Sequence, residues 1–236
     1  MNPGENFGFI NSFLRNIGPV IRNNNGFIDK YIGDAIMALF PGFPDNAVQA
    51  AMDMQKNISI YNKHNSYLPP ISIGVGVHYG KLMLGIIGES KRMESTVISD
   101  AVNLASRIES LTKRYKAKIL VSEDTICSLT KKSDLNFRKI DIVRVKGKKM
   151  GISLYEILDE EIDSLTRKKI ASSALFEKGI EFFQKGDLYR SRKNFVEILK
   201  IKAEDHPAKL FLERINFHIK SGIGIGWDGI LEMDTK

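Results

Sequence analysis

Apolar and polar residues along the first two thirds of the chain follow spacings that predict both helices and strands. Apolar side chains recur every three or four positions over 5–21, as in an amphipathic helix, and shorter apolar runs bounded by turn residues indicate strands. In chain order we predict helix 5–21, strands 27–32 and 35–40, helix 46–61, strands 71–77 and 82–87, helix 100–115, strand 118–121, helix 122–129, and strands 137–145 and 152–157. This order favours an α+β fold in which a sheet carries helices on one face.

Three pairs of these strands are predicted to form hairpins. The first pair turns at Gly33-Asp34, a dipeptide that suits a tight turn, and the second turns at Tyr79-Gly80. The third pair, 137–145 and 152–157, closes this part of the chain through a loop that contains Lys146.

The charged run Asp159-Glu160-Glu161 marks a boundary, after which the pattern becomes purely helical. Amphipathic helices are predicted over 171–185, 187–201 and 207–220. We therefore divide the chain into a domain over 1–158, a linker over 159–170, a helical region over 171–221 and a tail over 222–236.

The first two helices of the C-terminal region resemble one tetratricopeptide repeat. Gly179, Phe182 and Phe195 lie where that repeat has a glycine and aromatic residues. A single repeat cannot bury both of its faces. We therefore expect this region to pack on the first domain, on a protein partner, or on its own copy in a dimer, and we read Trp227 as a packing anchor.

The composition is that of a globular protein, since 43% of the 236 residues are hydrophobic. The chain has no apolar run long enough to span a membrane. Cys127 is the single cysteine, which excludes an internal disulfide and fits a reducing compartment. We predict a cytoplasmic protein without a membrane segment.

The net charge of +7 is concentrated in residues 107–150, which hold thirteen basic and five acidic side chains. Such a patch could attract nucleic acid, membrane phosphates or a nucleoside triphosphate, or it could be a solvated lysine-rich face. Tyr115 and Phe137 are its aromatic residues, too few to support base stacking. We expect no nucleic-acid partner, and an RNA-binding domain is a minor alternative.

Asn103 and Arg107 are four residues apart on the predicted helix 100–115, so they share one face. An amide and a guanidinium placed in this way can bind a ribose oxygen and a phosphate together. Taken alone, the two residues fit an ordinary amphipathic helix with an exposed arginine better than a binding site. Thr96 precedes them in the loop that is predicted to lead into the helix.

A longer pattern surrounds these residues, from Ser95 to Arg107, and a second one runs from Lys30 to Asp34. Together with the turn His78-Tyr79-Gly80, these segments resemble the signature segments of class III nucleotide cyclases, which make cyclic AMP or cyclic GMP from the triphosphate. The resemblance covers roughly residues 1–158. It implies a ferredoxin-like cyclase sheet for this part, beside the small all-α C-terminal region.

The resemblance implies a role for each matching residue. These roles are metal binding for Asp34, purine recognition for Lys30 and Thr96, ribose orientation for Asn103, stabilisation of charge on the α-phosphate for Arg107, and binding of the terminal phosphates for Lys146. A lysine N–H can donate to the unprotonated N1 of adenine, whereas the protonated N1 of guanine would face it donor to donor. We therefore expect ATP as the substrate and cyclic AMP as the product.

The family works by a two-metal displacement with Mg²⁺ or Mn²⁺, at a site formed between two head-to-tail protomers. The resemblance thus implies two metal ions per site and a homodimer, or a heterodimer with an intact cyclase domain. Lys30 and Asp34 of one chain would serve opposite sites.

Two departures from the family bear on activity. The strand with the family's first metal-binding aspartate would lie before residue 1, so one carboxylate is expected where the family has two, and the sheet is expected to have an unpaired edge. Ser99 stands where glycine is usual. The alternatives are therefore a non-catalytic nucleotide-binding regulator, a half-site partner of an intact cyclase, and a scaffold whose helical region recruits proteins. A diguanylate-forming enzyme is disfavoured, since 32–35 lack a Gly-Gly-acid-acid turn.

Overall fold

The computed structural model describes residues 3–65, 70–89, 92–145, 150–159 and 166–233. The helices are α1 (Pro3–Asn23), α2 (Asp45–His64), α3 (Asp100–Tyr115), α4 (Glu123–Ser128), α5 (Thr166–Ala171), α6 (Ser173–Gln184), α7 (Leu188–Ile201) and α8 (His206–Ser221). The strands are β1 (Phe27–Ile32), β2 (Ala35–Leu39), β3 (Val75–Val77), β4 (Met83–Glu89), β5 (Arg92–Ile98), β6 (Ile119–Ser122), β7 (Asn136–Val145), β8 (Ile152–Leu158) and β9 (Leu231–Met233). In these residues no helix is long and apolar enough to cross a membrane.

The main sheet has five strands in the order β3-β6-β8-β7-β9. β3 runs parallel to β6 and β9 parallel to β7, while β8 pairs antiparallel with both β6 and β7. Two hairpins, β1–β2 and β4–β5, form separate two-stranded sheets. The predicted α+β class and the first and third predicted hairpins are confirmed.

The second predicted hairpin is wrong. Residues 71–77 contribute only the short strand β3, which pairs with β6, and β4 pairs instead with β5. β5 was not predicted, because residues 92–98 lack the regular alternation of apolar and polar residues that identifies a strand in a sequence. Thr96 therefore lies in β5, opposite Gly85, and not in a loop.

The β1–β2 hairpin packs against α1 and α2 rather than extending the main sheet. Ile17 and Ile21 of α1 and Ile58 of α2 are buried beside partly buried side chains of the hairpin, including Ile28 and Ile36. Gly33 at its turn has φ +63°, a conformation that glycine adopts without strain. Within the described ranges, no strand pairs with the outer edge of β3 or of β2.

Helix α3 lies directly against β3 because a glycine permits close approach. A Cβ atom added to Gly76 would lie 2.6 Å from the carbonyl oxygen of Ala105 and would also collide with the backbone of Glu109. Any side chain at Gly76 would therefore push α3 away from the sheet. Of the residues in α3, Ile108 and Tyr115 are fully buried in the core.

The C-terminal helices pack on the main sheet of the same chain, one of the three surfaces considered for them. One hydrophobic core contains side chains of α3, of the sheet and of α6 to α8, among them Ile108, Leu120, Leu154, Phe176, Phe195 and Phe211. The last part of the predicted linker 159–170 forms α5. Trp227 anchors the segment after α8, since its Nε1 donates to the carbonyl oxygen of Phe183 at 2.8 Å.

A buried cluster of charges also joins the C-terminal region to the sheet. Arg138 of β7 donates to Glu156 of β8 (Nε to Oε2, 2.9 Å) and to Asp205 (Nη1 to Oδ2, 2.6 Å). Lys169 of α5 donates to the other oxygen of Glu156 at 2.7 Å. Burial alone would lower the pKa of Arg138, but the two carboxylates raise it. Arg138 is thus an exception to the solvated basic face considered for 107–150.

Candidate active site

Ser99 forms the N-cap of the helix that carries Asn103 and Arg107. Its hydroxyl accepts from the backbone N–H of Ala101 at 3.0 Å and donates to the carbonyl oxygen of Lys81 at 2.7 Å. Its φ of −170° is extended backbone, which any residue adopts. Serine therefore fits this position without strain, and its hydroxyl fixes where α3 begins.

Asn103 and Arg107 lie one turn apart on α3, as predicted. The Asn103 side chain is exposed, whereas Arg107 is half-buried. The Nη1 atom of Arg107 is buried and has no hydrogen-bond partner among the described residues. A buried guanidinium nitrogen without an acceptor is costly, so this atom is suited to an anionic group supplied by a ligand.

The turn that contains His78 is fixed against α4 and lies beside the start of α3. His78 Nδ1 lies 2.8 Å from the hydroxyl of Ser122, and the Tyr79 N–H donates to the hydroxyl of Thr125 at 3.0 Å. Burial lowers the pKa of His78, although the nearby Asp124 opposes this effect. His78 is therefore neutral at neutral pH, and it supports the turn rather than adding charge to the site.

The β1–β2 hairpin presents two further predicted residues. Asp34 lies at its turn and is exposed. Lys30 lies in β1, where its Nζ is 3.3 Å from Oδ2 of the buried Asp29. Asp29 was not singled out from the sequence, in which it is one more charged residue of the predicted strand 27–32.

The predicted site residues thus fall into two groups on separate elements. Asn103 and Arg107 share α3, and Lys30 and Asp34 share the hairpin. Among the described residues, no hydrogen bond or ion pair joins one group to the other. Thr96 lies in β5, the hairpin partner of β4, and Lys146 lies outside the described residues. Their assigned roles stay predictions.

The acidic side chains of the described residues do not complete a site for a divalent metal ion. The parts of the chain that the structure describes contain no group of three histidine, cysteine, aspartate or glutamate side chains that could hold an ion. Asp34 is the exposed carboxylate at the predicted position. It can supply one ligand, and one ligand does not complete a site for Mg²⁺ or Mn²⁺.

Comparison with known proteins decides the family. Residues 2–159 match the family model for the adenylate and guanylate cyclase catalytic domain. The chain belongs to this family. Cyclases of this family use divalent metal ions and work as dimers on nucleotide substrates.

Two similar proteins are named adenylate cyclases. The chain is 47% identical over 165 residues to an adenylate cyclase of Anabaena cylindrica, covering 66% of this chain and 33% of that protein. It is 33% identical over 219 residues to the terminal-differentiation specific adenylate cyclase of Dictyostelium discoideum, covering 90% of this chain and 10% of that protein. The chain thus spans about a third and a tenth of the lengths of these two relatives.

Two solved structures support the same fold. The adenylyl cyclase CyaB from P. aeruginosa superposes with a TM-score of 0.59 at 26% identity, covering 67% of this chain and 85% of that one. The guanylyl cyclase Cya2 superposes with a TM-score of 0.57 at 28% identity, covering 66% and 82%. Because one neighbour is named for ATP chemistry and the other for GTP chemistry, the cyclase fold alone does not identify the base.

Proposed function

We propose that this chain is the catalytic domain of an adenylate cyclase, which converts ATP to cyclic AMP and pyrophosphate. Membership of the cyclase family and the two adenylate cyclase relatives support the reaction class. The alignment with the Dictyostelium protein is longer than the family match, so it includes part of the C-terminal region as well. No observation favours the regulator or scaffold alternatives.

The unpaired Nη1 of Arg107 is the observation that best supports catalysis. In the reaction, the ribose 3′-oxygen attacks the α-phosphorus and loses its proton. The bond from that phosphorus to the oxygen that bridges to the β-phosphorus breaks, and pyrophosphate leaves with the bonding electrons. Negative charge builds up on the α-phosphate oxygens, where Arg107 would donate. Asn103, one turn earlier, would hold the ribose so that its 3′-oxygen is in line.

Mg²⁺ or Mn²⁺ would activate the 3′-oxygen and neutralise charge on the phosphates, with Asp34 as one protein ligand. We propose two ions per site, as the resemblance to the cyclase family implies. Among the described residues, no group of three acidic, histidine or cysteine side chains supplies the remaining ligands. Lys146 would bind the terminal phosphates.

A head-to-tail dimer would bring Asp34 of one copy to the site that holds Lys30, Asn103 and Arg107 of the other. The β4–β5 hairpin supports this proposal, because Met83 and Ile86 are each 73% exposed and Leu84 and Ile87 are exposed beside them. An apolar patch of this kind marks a surface that binds another protein. In such a dimer, α3 of one copy would face the hairpin turn of the other, and the partner could be a second copy or an intact cyclase domain.

Lys30 is expected to select adenine. Replacing Lys30 with alanine should lower the ratio of kcat/KM for ATP to kcat/KM for GTP by about tenfold or more, because a hydrogen bond from a charged donor contributes about 1.5–3 kcal/mol. Initial rates with both nucleotides measure this ratio, and Lys63→Ala, at an exposed lysine in the last turn of α2, is the matched control. An unchanged ratio would show that Lys30 does not recognise the base.

A further inference from the structure

We propose that Asp29 is a positioning residue for Lys30, and that it thereby contributes to the selection of ATP over GTP. The inference rests on the proposed function, since it assigns a partner to the lysine that would recognise the purine. It adds to the site a residue that neither the sequence pattern nor the comparisons identified.

The two side chains lie close together, and the Asp29 side of the contact is shielded from water. Oδ2 of Asp29 lies 3.3 Å from Nζ of Lys30, and the Asp29 side chain is 2% exposed whereas that of Lys30 is 40% exposed. Oδ2 accepts no hydrogen bond from any of the described residues. The Lys30 ammonium is thus the charge that compensates this carboxylate oxygen, while its outer side stays accessible to a ligand.

An irregularity in β1 makes this contact possible. Ile28 pairs with Ala38 and Lys30 pairs with Met37, so Asp29 is an extra residue between two consecutive partners on β2. Neighbouring residues of a regular strand point to opposite faces, whereas a bulge redirects a side chain. The register shift therefore accounts for two adjacent side chains that reach each other.

The consequence for recognition follows from the flexibility of lysine. A lysine side chain can adopt many rotamers, and part of this freedom is lost when its ammonium is held for a ligand. Asp29 restrains the ammonium before the nucleotide arrives through the attraction of opposite charges, and this leaves the three N–H donors of the ammonium available. These N–H groups can then meet N1 of adenine, and the restrained ammonium cannot easily move away from the protonated N1 of guanine.

The test is a double-mutant cycle read out as purine selectivity. Asp29→Asn removes the charge and keeps the shape, and we expect it to lower the ATP-to-GTP ratio about tenfold, both in kcat/KM and in equilibrium affinity measured by displacement of a fluorescent nucleotide. In the Lys30→Ala background the same change should alter the ratio by less than about twofold. Asp29→Glu, which keeps the charge, should retain most of the selectivity and guards against a variant that fails to fold.

Asp53→Asn is the matched control, since Asp53 is a partly buried aspartate of α2 with hydrogen bonds to Asn24 and Gln49. It should leave the ratio unchanged. An unchanged ratio in Asp29→Asn, beside a lowered ratio in Lys30→Ala, would overturn the inference and leave the proposed function intact. Independent, additive effects of the two changes would also overturn it. A wild-type chain that binds ATP selectively but makes no cyclic nucleotide, alone or with an added intact cyclase domain, would overturn the proposed function, while the affinity cycle would still test Asp29.

Discussion

Replacing Arg107 with alanine is expected to lower kcat for cyclic AMP formation by about 100-fold or more. Its buried Nη1 has no acceptor in the described part of the protein, so its partner is expected to be the charge that develops on the α-phosphate. Removing one such donor typically costs a factor of about 10²–10³ in kcat. The affinity for ATP should change by less than about threefold, because the contact is strongest in the transition state.

Arg114→Ala is the matched control, since Arg114 is an exposed arginine in the last turn of the same helix. It should keep kcat within about twofold of the wild type. Steady-state rates and equilibrium nucleotide binding, measured on both variants, separate the two effects. Weaker binding of ATP by Arg107→Ala, with unchanged turnover of the bound nucleotide, would contradict the assigned role.

Replacing Asp205 with alanine is expected to lower the free energy of unfolding by about 3–5 kcal/mol. Both Asp205 and its partner Arg138 have side chains that are 0% exposed, so the change would leave a buried guanidinium without one of its two carboxylates. Asp205 also caps α8 through the backbone N–H of Ala208. Chemical denaturation followed by circular dichroism measures this loss.

Asp187 provides a matched comparison for this effect. It caps α7 in the same way, through the backbone N–H of Arg190, but its side chain is partly exposed and belongs to no buried cluster. Asp187→Ala should therefore cost only about 1 kcal/mol, the usual value of a lost cap. Similar losses in the two variants would show that the buried charge cluster adds little to the attachment of the C-terminal helices.

Local patterns predicted most of the fold, and tertiary contacts explain what they missed. The apolar periodicity predicted α3 over its full length, because its buried stripe repeats every turn. The partner of β3 could not be predicted in this way, since β6 lies more than forty residues further along the chain. The two strands are brought side by side because α3, which connects them, packs against the sheet. β9 has three residues, too few for any period to be recognised.

For the candidate site, residue types and spacing predicted the groups on α3 and on the hairpin, but not their supports. The charges of Asp29, Arg138 and Asp205 look like those of any surface residue in a sequence, and only the packing around them shows that they are buried. Ser99 appeared to be a departure from a glycine pattern, yet its extended backbone and capping hydroxyl make it a suitable residue there. Burial and backbone conformation are thus what the sequence could not supply.

The most direct test of the account is the product formed from ATP by the purified chain in the presence of Mn²⁺. We predict cyclic AMP and pyrophosphate in equal amounts, identified by chromatography, and no product from Asp34→Ala. The specific activity, which is the rate per mole of protein, should rise with protein concentration as dimers form. The same assay with an added intact cyclase domain tests whether the chain needs that partner. A folded chain that binds ATP and yields no cyclic AMP, alone or with the added domain, would contradict the proposal that this is an adenylate cyclase.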